Sequence, residues 1–179
     1  MVKETKTRAD SAVVFLDVDG VLNCNSTRFG AGVREIALRT AGGARIATGA
    51  VEIDKVQMLA EALERCGARI VVSSSWRKGF ESAAQFAGAI GIAPPLASAR
   101  DLFHRDWHTE WKFSSSRDQE IGLWLADHRS VKRFAILDDH DVCARRPELE
   151  PHFVRTDSDV GLTEADIARV ESILRLATS

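Results

Sequence analysis

Short apolar runs that end in polar side chains recur along the chain and indicate buried parallel strands. We predict strands at residues 13–16, 69–72, 133–137 and 153–155, and a further short one at 96–99. A continuous apolar run of this length is typical of a strand covered on both faces of a sheet.

Between these runs, apolar residues at helical spacing predict helices. The first begins at an Asp54 cap and ends at Gly67, which supplies the C-terminal stop. The other predicted helices span residues 80–89, 118–128 and 163–176. Strands that alternate with helices imply an α/β fold with a parallel sheet and right-handed crossovers.

Two stretches of the sequence lack a clear hydrophobic period. Residues 23–53 are rich in glycine, and we expect an insertion with a small hairpin at 45–51, which is either a functional lid or a surface loop. Residues 100–116 interleave aromatic and cationic side chains, and we interpret them as a polar surface segment. His104 and His108 are spaced as a metal pair on a helix would be, but no third ligand has an obvious spacing.

Composition narrows the class of protein. The chain has 179 residues, 45% of them hydrophobic, and a net charge of −2, which fits one domain with a core and no basic field for nucleic acid. We expect a flexible lead-in at residues 1–11, a single domain at 12–179, no membrane segment, and three reduced cysteines in a cytoplasmic protein. The sequence leaves the oligomeric state open.

Candidate functional residues directly follow the predicted strands, at the end of the sheet where ligands bind in open α/β folds. Asp17 and Asp19 come directly after the first strand and precede Gly20. Taken alone, this pattern is equally typical of an Asx turn that closes a strand. After the second strand, three serines and Arg77 form a candidate anion site, although serines there can also simply cap the next helix.

A second acidic group, Asp138 and Asp139, ends the strand at 133–137. Because the carboxyl ends of parallel strands meet at one edge, we expect these carboxylates to gather with Asp17 and Asp19. Oxygen ligands of this kind favour Mg²⁺.

The order of these motifs resembles the haloacid dehalogenase (HAD) superfamily of phosphatases, and more closely the HAD domain of Swiss Army Knife RNA repair proteins. The resemblance covers residues 12–176 and implies a Rossmann-like parallel sheet flanked by helices, with only short cap insertions. The strings that carry it are LDVDGVLN (16–23), SSWR (74–77), RxxEIxxWL (117–125), LDD (137–139) and GLT (161–163).

The resemblance implies a role for each site residue. Asp17 would be the nucleophile that forms an aspartyl-phosphate, and Asp19 the general acid and base. Mg²⁺ would be held by Asp17, the backbone carbonyl of Asp19 and Asp139, with Asp138 in support. The phosphate binders would be a serine, Ser74 in preference to Ser73, and a cation, Arg117 in preference to Lys112.

An open site without a large cap suggests a phosphorylated end of RNA or DNA, or a nucleotide, as the substrate. We expect a substrate lip made of Trp76, Arg77, Arg105 and Trp107, since bases stack on aromatic rings beside cations. Trp107 and Trp111 are also spaced as one buried helical face would be. The alternatives are a phosphatase of small metabolites or phosphoproteins, and a non-catalytic module that binds phosphate.

Overall fold

The computed structural model describes residues 12–27, 31–39, 45–92, 102–110 and 115–176. The predictions made for residues 1–11, for a strand at 96–99, and for Trp111 and Lys112 lie outside these ranges. In chain order the elements are β1 (Ala12–Leu16), β2 (Val33–Arg39), β3 (Arg45–Glu52), α1 (Ile53–Cys66), β4 (Arg69–Val72), α2 (Ala83–Ile90), β5 (Phe103–His108), α3 (Arg117–Asp127), β6 (Arg133–Asp138), β7 (Phe153–Arg155) and α4 (Glu164–Leu176).

A five-stranded parallel sheet organises the fold, with the strand order β5-β4-β1-β6-β7. Strand β1 lies at its centre, and Leu16 at the end of β1 is level with Val72 of β4 and Leu137 of β6. The polar residues that follow these three strands therefore lie side by side at one edge. The predicted α/β architecture is confirmed.

The apolar run in β1 faces two separate cores. Val14 and Leu16 pack in the cluster that includes Leu59 of α1, whereas Val13 and Phe15 pack in the cluster that includes Trp124 of α3. Because both faces are covered, a polar side chain on either face of the strand would be buried in an apolar core. Among the described residues, no helix is both long and apolar enough to cross a bilayer.

In the described part of the insertion after β1, residues 45–51 do not form the predicted small hairpin. That segment is one strand, β3, which pairs antiparallel with β2 to form a two-stranded sheet of its own. Helix α1 begins at Ile53 with Glu52 as its N-cap, so Asp54 lies in the first turn rather than at the cap. Helix α2 begins at Ala83, because a 3₁₀ helix (Ser75–Gly79) and the Ser82 cap precede it.

The interpretation of residues 100–116 as an irregular polar surface is wrong for the described part of that segment. Residues 103–108 form β5, an edge strand parallel to β4, and Phe103, His104 and Trp107 are buried. The sequence FHRDWH shows no alternation of apolar and polar residues, because α2 and α3 cover parts of both faces of the strand.

Candidate active site

The predicted site residues from four elements converge at the carboxyl edge of the sheet. The backbone N–H of Asp17 donates to the Leu137 carbonyl at 3.0 Å, and the N–H of Ser73 donates to the Leu16 carbonyl at 2.9 Å. These bonds continue the ladders of β1, β4 and β6 by one residue, so sheet register itself places the side chains. A cavity of about 490 Å³ opens there, lined by Asp17, Asp19, Arg117 and Asp138 among others.

Arg117, the first residue of α3, bridges the two acidic strands. Its Nη1 atom lies 3.2 Å from Asp17 Oδ2 and 2.8 Å from Asp138 Oδ2. Burial lowers the pKa of Arg117, but its attraction to Asp17 and Asp138 outweighs that effect, and the pKa lies above its ordinary value. The structure therefore brings a permanent cation to the position for which the sequence offered Arg117 or Lys112.

The carboxylates form a donor set suited to a divalent cation. Asp17, Asp138, Asp139 and His140 each offer a ligand atom, and these atoms lie within 4.8 Å of one another. Burial raises the pKa of Asp138 to about 6; Arg117 opposes this shift and the nearby charge of Asp17 adds to it. Carboxylates this close repel each other, and a hard cation with oxygen ligands relieves that repulsion, so the residues fit Mg²⁺.

Gly20 makes room for Asp139. It has a φ of +70°, and a Cβ placed on it would lie 2.5 Å from both Cγ and Oδ2 of Asp139. The turn after Asp19 therefore needs glycine both for its backbone conformation and for the close approach of this carboxylate.

We expect Gly20→Ala to displace Asp139 and to weaken Mg²⁺ binding, which is measured as loss of the rise in melting temperature that Mg²⁺ produces. Gly67→Ala is the matched control, because Gly67 has a φ of +61° but nothing within 4 Å of its added Cβ. Each substitution costs about 1–2 kcal/mol of stability from its backbone conformation alone. An equal Mg²⁺ response in the two variants would contradict this role of Gly20.

The two candidate serines have different surroundings. Ser74 Oγ accepts the backbone N–H of Trp76 at 3.3 Å and thereby caps the 3₁₀ helix, whereas the predicted next helix, α2, is capped by Ser82. That bond uses a lone pair of the hydroxyl and not its proton. Ser73 Oγ is buried and has no hydrogen-bond partner among the described residues. The preference for Ser74 as the phosphate binder stays a prediction.

Asp19 is held by two donors that sequence reasoning did not assign to it. Trp76 Nε1 donates to Asp19 Oδ2 at 2.8 Å, and Asn23 Nδ2 donates to Asp19 Oδ1 at 3.1 Å. Asn23 lies four residues after Asp19, on a turn whose conformation the sequence does not reveal. Nothing in the pattern around Trp76 distinguishes a ring that supports the site from one that faces solvent.

Arg77 is a largely buried cation that also lines the cavity. Its Nη1 atom donates to the carbonyls of Ser73 and Ser74, and its Nη2 atom donates to Glu120 Oε2 at 2.7 Å. Burial lowers the pKa of Arg77, and the charge of Glu120 opposes that shift. The pair ties the turn after β4 to helix α3, and so fixes the serines relative to Arg117.

The predicted substrate lip is wrong for three of its four residues. Trp76, Arg77 and Trp107 are only 4%, 6% and 9% exposed, so their side chains cannot offer a face to a base. Trp107 packs in the main core, 5.9 Å from Phe86 between ring centroids. The side chain of Arg105 is 78% exposed, but Arg105 lines a separate cavity next to Asp106 and His128, so its part in a substrate lip stays a prediction.

We expect Trp107→Ala to lower the free energy of unfolding by about 3–5 kcal/mol, because it removes a large buried ring. Urea denaturation measures this loss. Arg105→Ala in the same strand is the control, and we expect a change within about 0.5 kcal/mol for an exposed side chain. A Trp107→Ala protein as stable as the control would restore an exposed role for this ring.

His104 takes part in a contact that the i, i+4 spacing did not suggest. It lies near Asp106 and His128, and not with His108 as a metal pair. Its Nδ1 atom accepts the backbone N–H of Asp106 at 3.0 Å, while His128 Nε2 lies 2.8 Å from Asp106 Oδ2. The hydrogen bond to His128 lowers the pKa of Asp106. Since the Nδ1 lone pair of His104 is engaged, we interpret the group as a link between β5 and α3.

Comparison with known proteins agrees with this geometry. A family model described as the HAD domain in Swiss Army Knife RNA repair proteins matches residues 13–167, which include all of the parallel sheet except Ala12 and all the converging side chains. Searches of curated proteins and of solved structures gave no match. The chain belongs to the family of HAD domains found in Swiss Army Knife RNA repair proteins.

Proposed function

We propose that this HAD domain is a Mg²⁺-dependent phosphomonoester hydrolase that acts through an aspartyl-phosphate. The observation that carries the proposal is the meeting of Asp17, Asp19 and Arg117 in one open cavity. A module that only binds phosphate needs the cation but has no use for two carboxylates facing the anion. The presence of both acids therefore favours catalysis over binding alone.

The proposal assigns one or more residues to each step. A carboxylate oxygen of Asp17 attacks phosphorus, an Asp–O–P bond forms, and the bond from phosphorus to the leaving oxygen breaks. Asp19 gives that oxygen a proton, then takes one from the water that hydrolyses the acyl phosphate and regenerates Asp17. Arg117 and the hydroxyl of Ser74 bind the phosphoryl oxygens, where negative charge is spread in the transition state.

The metal would be held by Asp17, Asp139 and the backbone carbonyl of Asp19, with Asp138 in support. When bound, Mg²⁺ neutralises charge on the phosphoryl group and on the crowded carboxylates. Arg117 lies between Asp17 and Asp138 and offsets part of their negative charge. Activity is therefore expected to disappear in EDTA and to return with Mg²⁺.

Phosphorylated ends of RNA or DNA, or free nucleotides, are the proposed substrates. The family description supports this class, because it names RNA repair proteins. One observation favours small phosphorylated metabolites as a second candidate: the cavity lining, within the described residues, contains no Phe, Tyr or Trp on which a base could stack.

The test is a screen of phosphate release with Mg²⁺ over 3′- and 5′-phosphorylated oligonucleotides, mononucleotides, sugar phosphates and phosphopeptides. We expect the highest kcat/KM on an oligonucleotide end, and loss of release in EDTA. A preference for sugar phosphates would favour the second candidate. Phosphate release that persists in EDTA would contradict the metal-dependent mechanism.

A further inference from the structure

The indole of Trp76 is buried, yet its polar atom reaches the edge of the active site. The residue is 4% exposed, and its Nε1–H donates to Asp19 Oδ2 at 2.8 Å, whereas Asp19 itself is exposed. An exposed aspartate ordinarily samples several rotamers. Here the indole N–H, which is fixed in the protein core, holds Asp19 in one rotamer.

The second donor to Asp19, the side-chain amide of Asn23, is also held by other hydrogen bonds. Asn23 Nδ2 donates to Asp19 Oδ1 at 3.1 Å and to the carbonyl of Ala50 at 2.8 Å, while Asn23 Oδ1 accepts the N–H of Gly20 at 2.8 Å. These partners determine the orientation of the amide. Each oxygen of Asp19 thus has one donor, and the shorter contact belongs to Trp76.

The β2–β3 hairpin holds the indole in place. A Cβ on Gly49 of β3 would lie 2.2 Å from Cη2 and 2.3 Å from Cζ2 of Trp76, so the hairpin backbone rests directly on the ring. Glycine inside a strand is typical of such a close backbone approach. At the backbone of the same residue, the N–H of Trp76 donates to Ser74 Oγ. The ring is therefore clamped between the hairpin and the turn after β4.

We propose that Trp76 is a positioning residue for Asp19: its indole N–H holds the carboxyl group in the orientation from which it transfers a proton to the leaving oxygen. An indole N–H only donates, so its bond to Oδ2 fixes the orientation of the carboxyl group and leaves the remaining lone pairs of the two oxygens to carry the proton. The inference rests on the proposed function of Asp19 as the general acid. It gives the hairpin a role too, since the hairpin seats the ring that orients the acid.

Trp76→Phe is the variant that tests this role, because it keeps a buried aromatic ring and removes the N–H. We expect kcat/KM to fall about 10- to 100-fold on an alkyl phosphate, as for a misplaced catalytic group. The loss should be much smaller on p-nitrophenyl phosphate, whose leaving group needs little protonation. In an Asp19→Asn background, Trp76→Phe should have no further effect on either substrate.

Trp124→Phe is the matched control. Trp124 is 5% exposed, and its Nε1–H donates to the backbone carbonyl of Asp106 at 3.2 Å, so the substitution removes the same kind of bond from another buried indole. We expect lower stability without dependence on the leaving group. Equal losses on both substrates for Trp76→Phe, or an undiminished loss in the Asp19→Asn background, would overturn the proposal.

A measurement without turnover tests the contact itself. The indole N–H resonance of Trp76, assigned by its absence from the NMR spectrum of Trp76→Phe, should shift in Asp19→Asn, because a neutral amide replaces the charged acceptor of this hydrogen bond. The indole N–H resonance of Trp124, which donates to the carbonyl of Asp106, should stay unchanged in the same variant. A Trp76 resonance that Asp19→Asn leaves unchanged would overturn the contact. Because this readout needs no substrate, failure of the Trp76 inference and failure of the phosphatase assignment are distinguishable.

Discussion

Asp17→Asn is expected to reduce phosphate release to the level seen in EDTA, on every substrate that the wild-type protein hydrolyses. An amide cannot attack phosphorus to form the acyl phosphate, so the reaction loses its first step. The substitution also removes one carboxylate from the donor set shared with Asp138 and Asp139. Loss of turnover and a weaker rise in melting temperature with Mg²⁺ should therefore appear together.

The fold should survive this change. Arg117 keeps its contact with Asp138 at 2.8 Å when its partner at 3.2 Å, Asp17, becomes neutral. Asp127→Asn, an exposed aspartate at the end of α3, is the control for a generic loss of charge. Substantial activity in Asp17→Asn with Mg²⁺ would mean that water or another group attacks phosphorus.

Asp19→Asn is expected to lower kcat/KM by ~10²–10⁴-fold on alkyl phosphates, the range typical of a lost general acid. Asp17, the proposed nucleophile, and Arg117 remain in place. Because kcat/KM reports on the steps up to departure of the leaving group, the loss should shrink on p-nitrophenyl phosphate. The dependence of kcat/KM on leaving-group pKa, compared between wild type and Asp19→Asn, measures this effect.

A parallel loss on alkyl and aryl phosphates would show that Asp19 supports the site in some other way. Asp54→Asn is a suitable control, since Asp54 is an exposed carboxylate in the first turn of α1. We expect it to leave the dependence on leaving-group pKa unchanged.

The sequence predicted those strands whose two faces are both buried, because such strands are apolar throughout. Strands β1, β4 and β6 are continuous apolar runs because each is covered on both faces, and sheet register then places Asp17 and Asp138 together. The site could be anticipated for this reason. Arg117 could be predicted as a site residue because it starts a helix whose N-terminus points toward the same edge.

Strand β5 and the burial of the two tryptophans could not be predicted, because they depend on contacts between segments that are distant in sequence. The polar string of β5 is a strand only because β4 pairs with it, and α3 covers His104 from one side. Trp76 and Trp107 stand beside cations, a pattern shared by exposed stacking surfaces and by buried rings. The clamp on Trp76 comes from Gly49, which is 27 residues earlier in the chain.

The most direct measurement is an attempt to trap the phosphorylated enzyme. Asp19→Asn, treated with p-nitrophenyl phosphate and Mg²⁺, should form the aspartyl-phosphate readily and hydrolyse it slowly, because the base for the water step is missing. After acid quenching, mass spectrometry should find phosphate on the peptide that contains Asp17, removable by hydroxylamine. The Asp17→Asn, Asp19→Asn double variant should carry none. Release of p-nitrophenol without any phosphate on Asp17 would contradict the proposed mechanism.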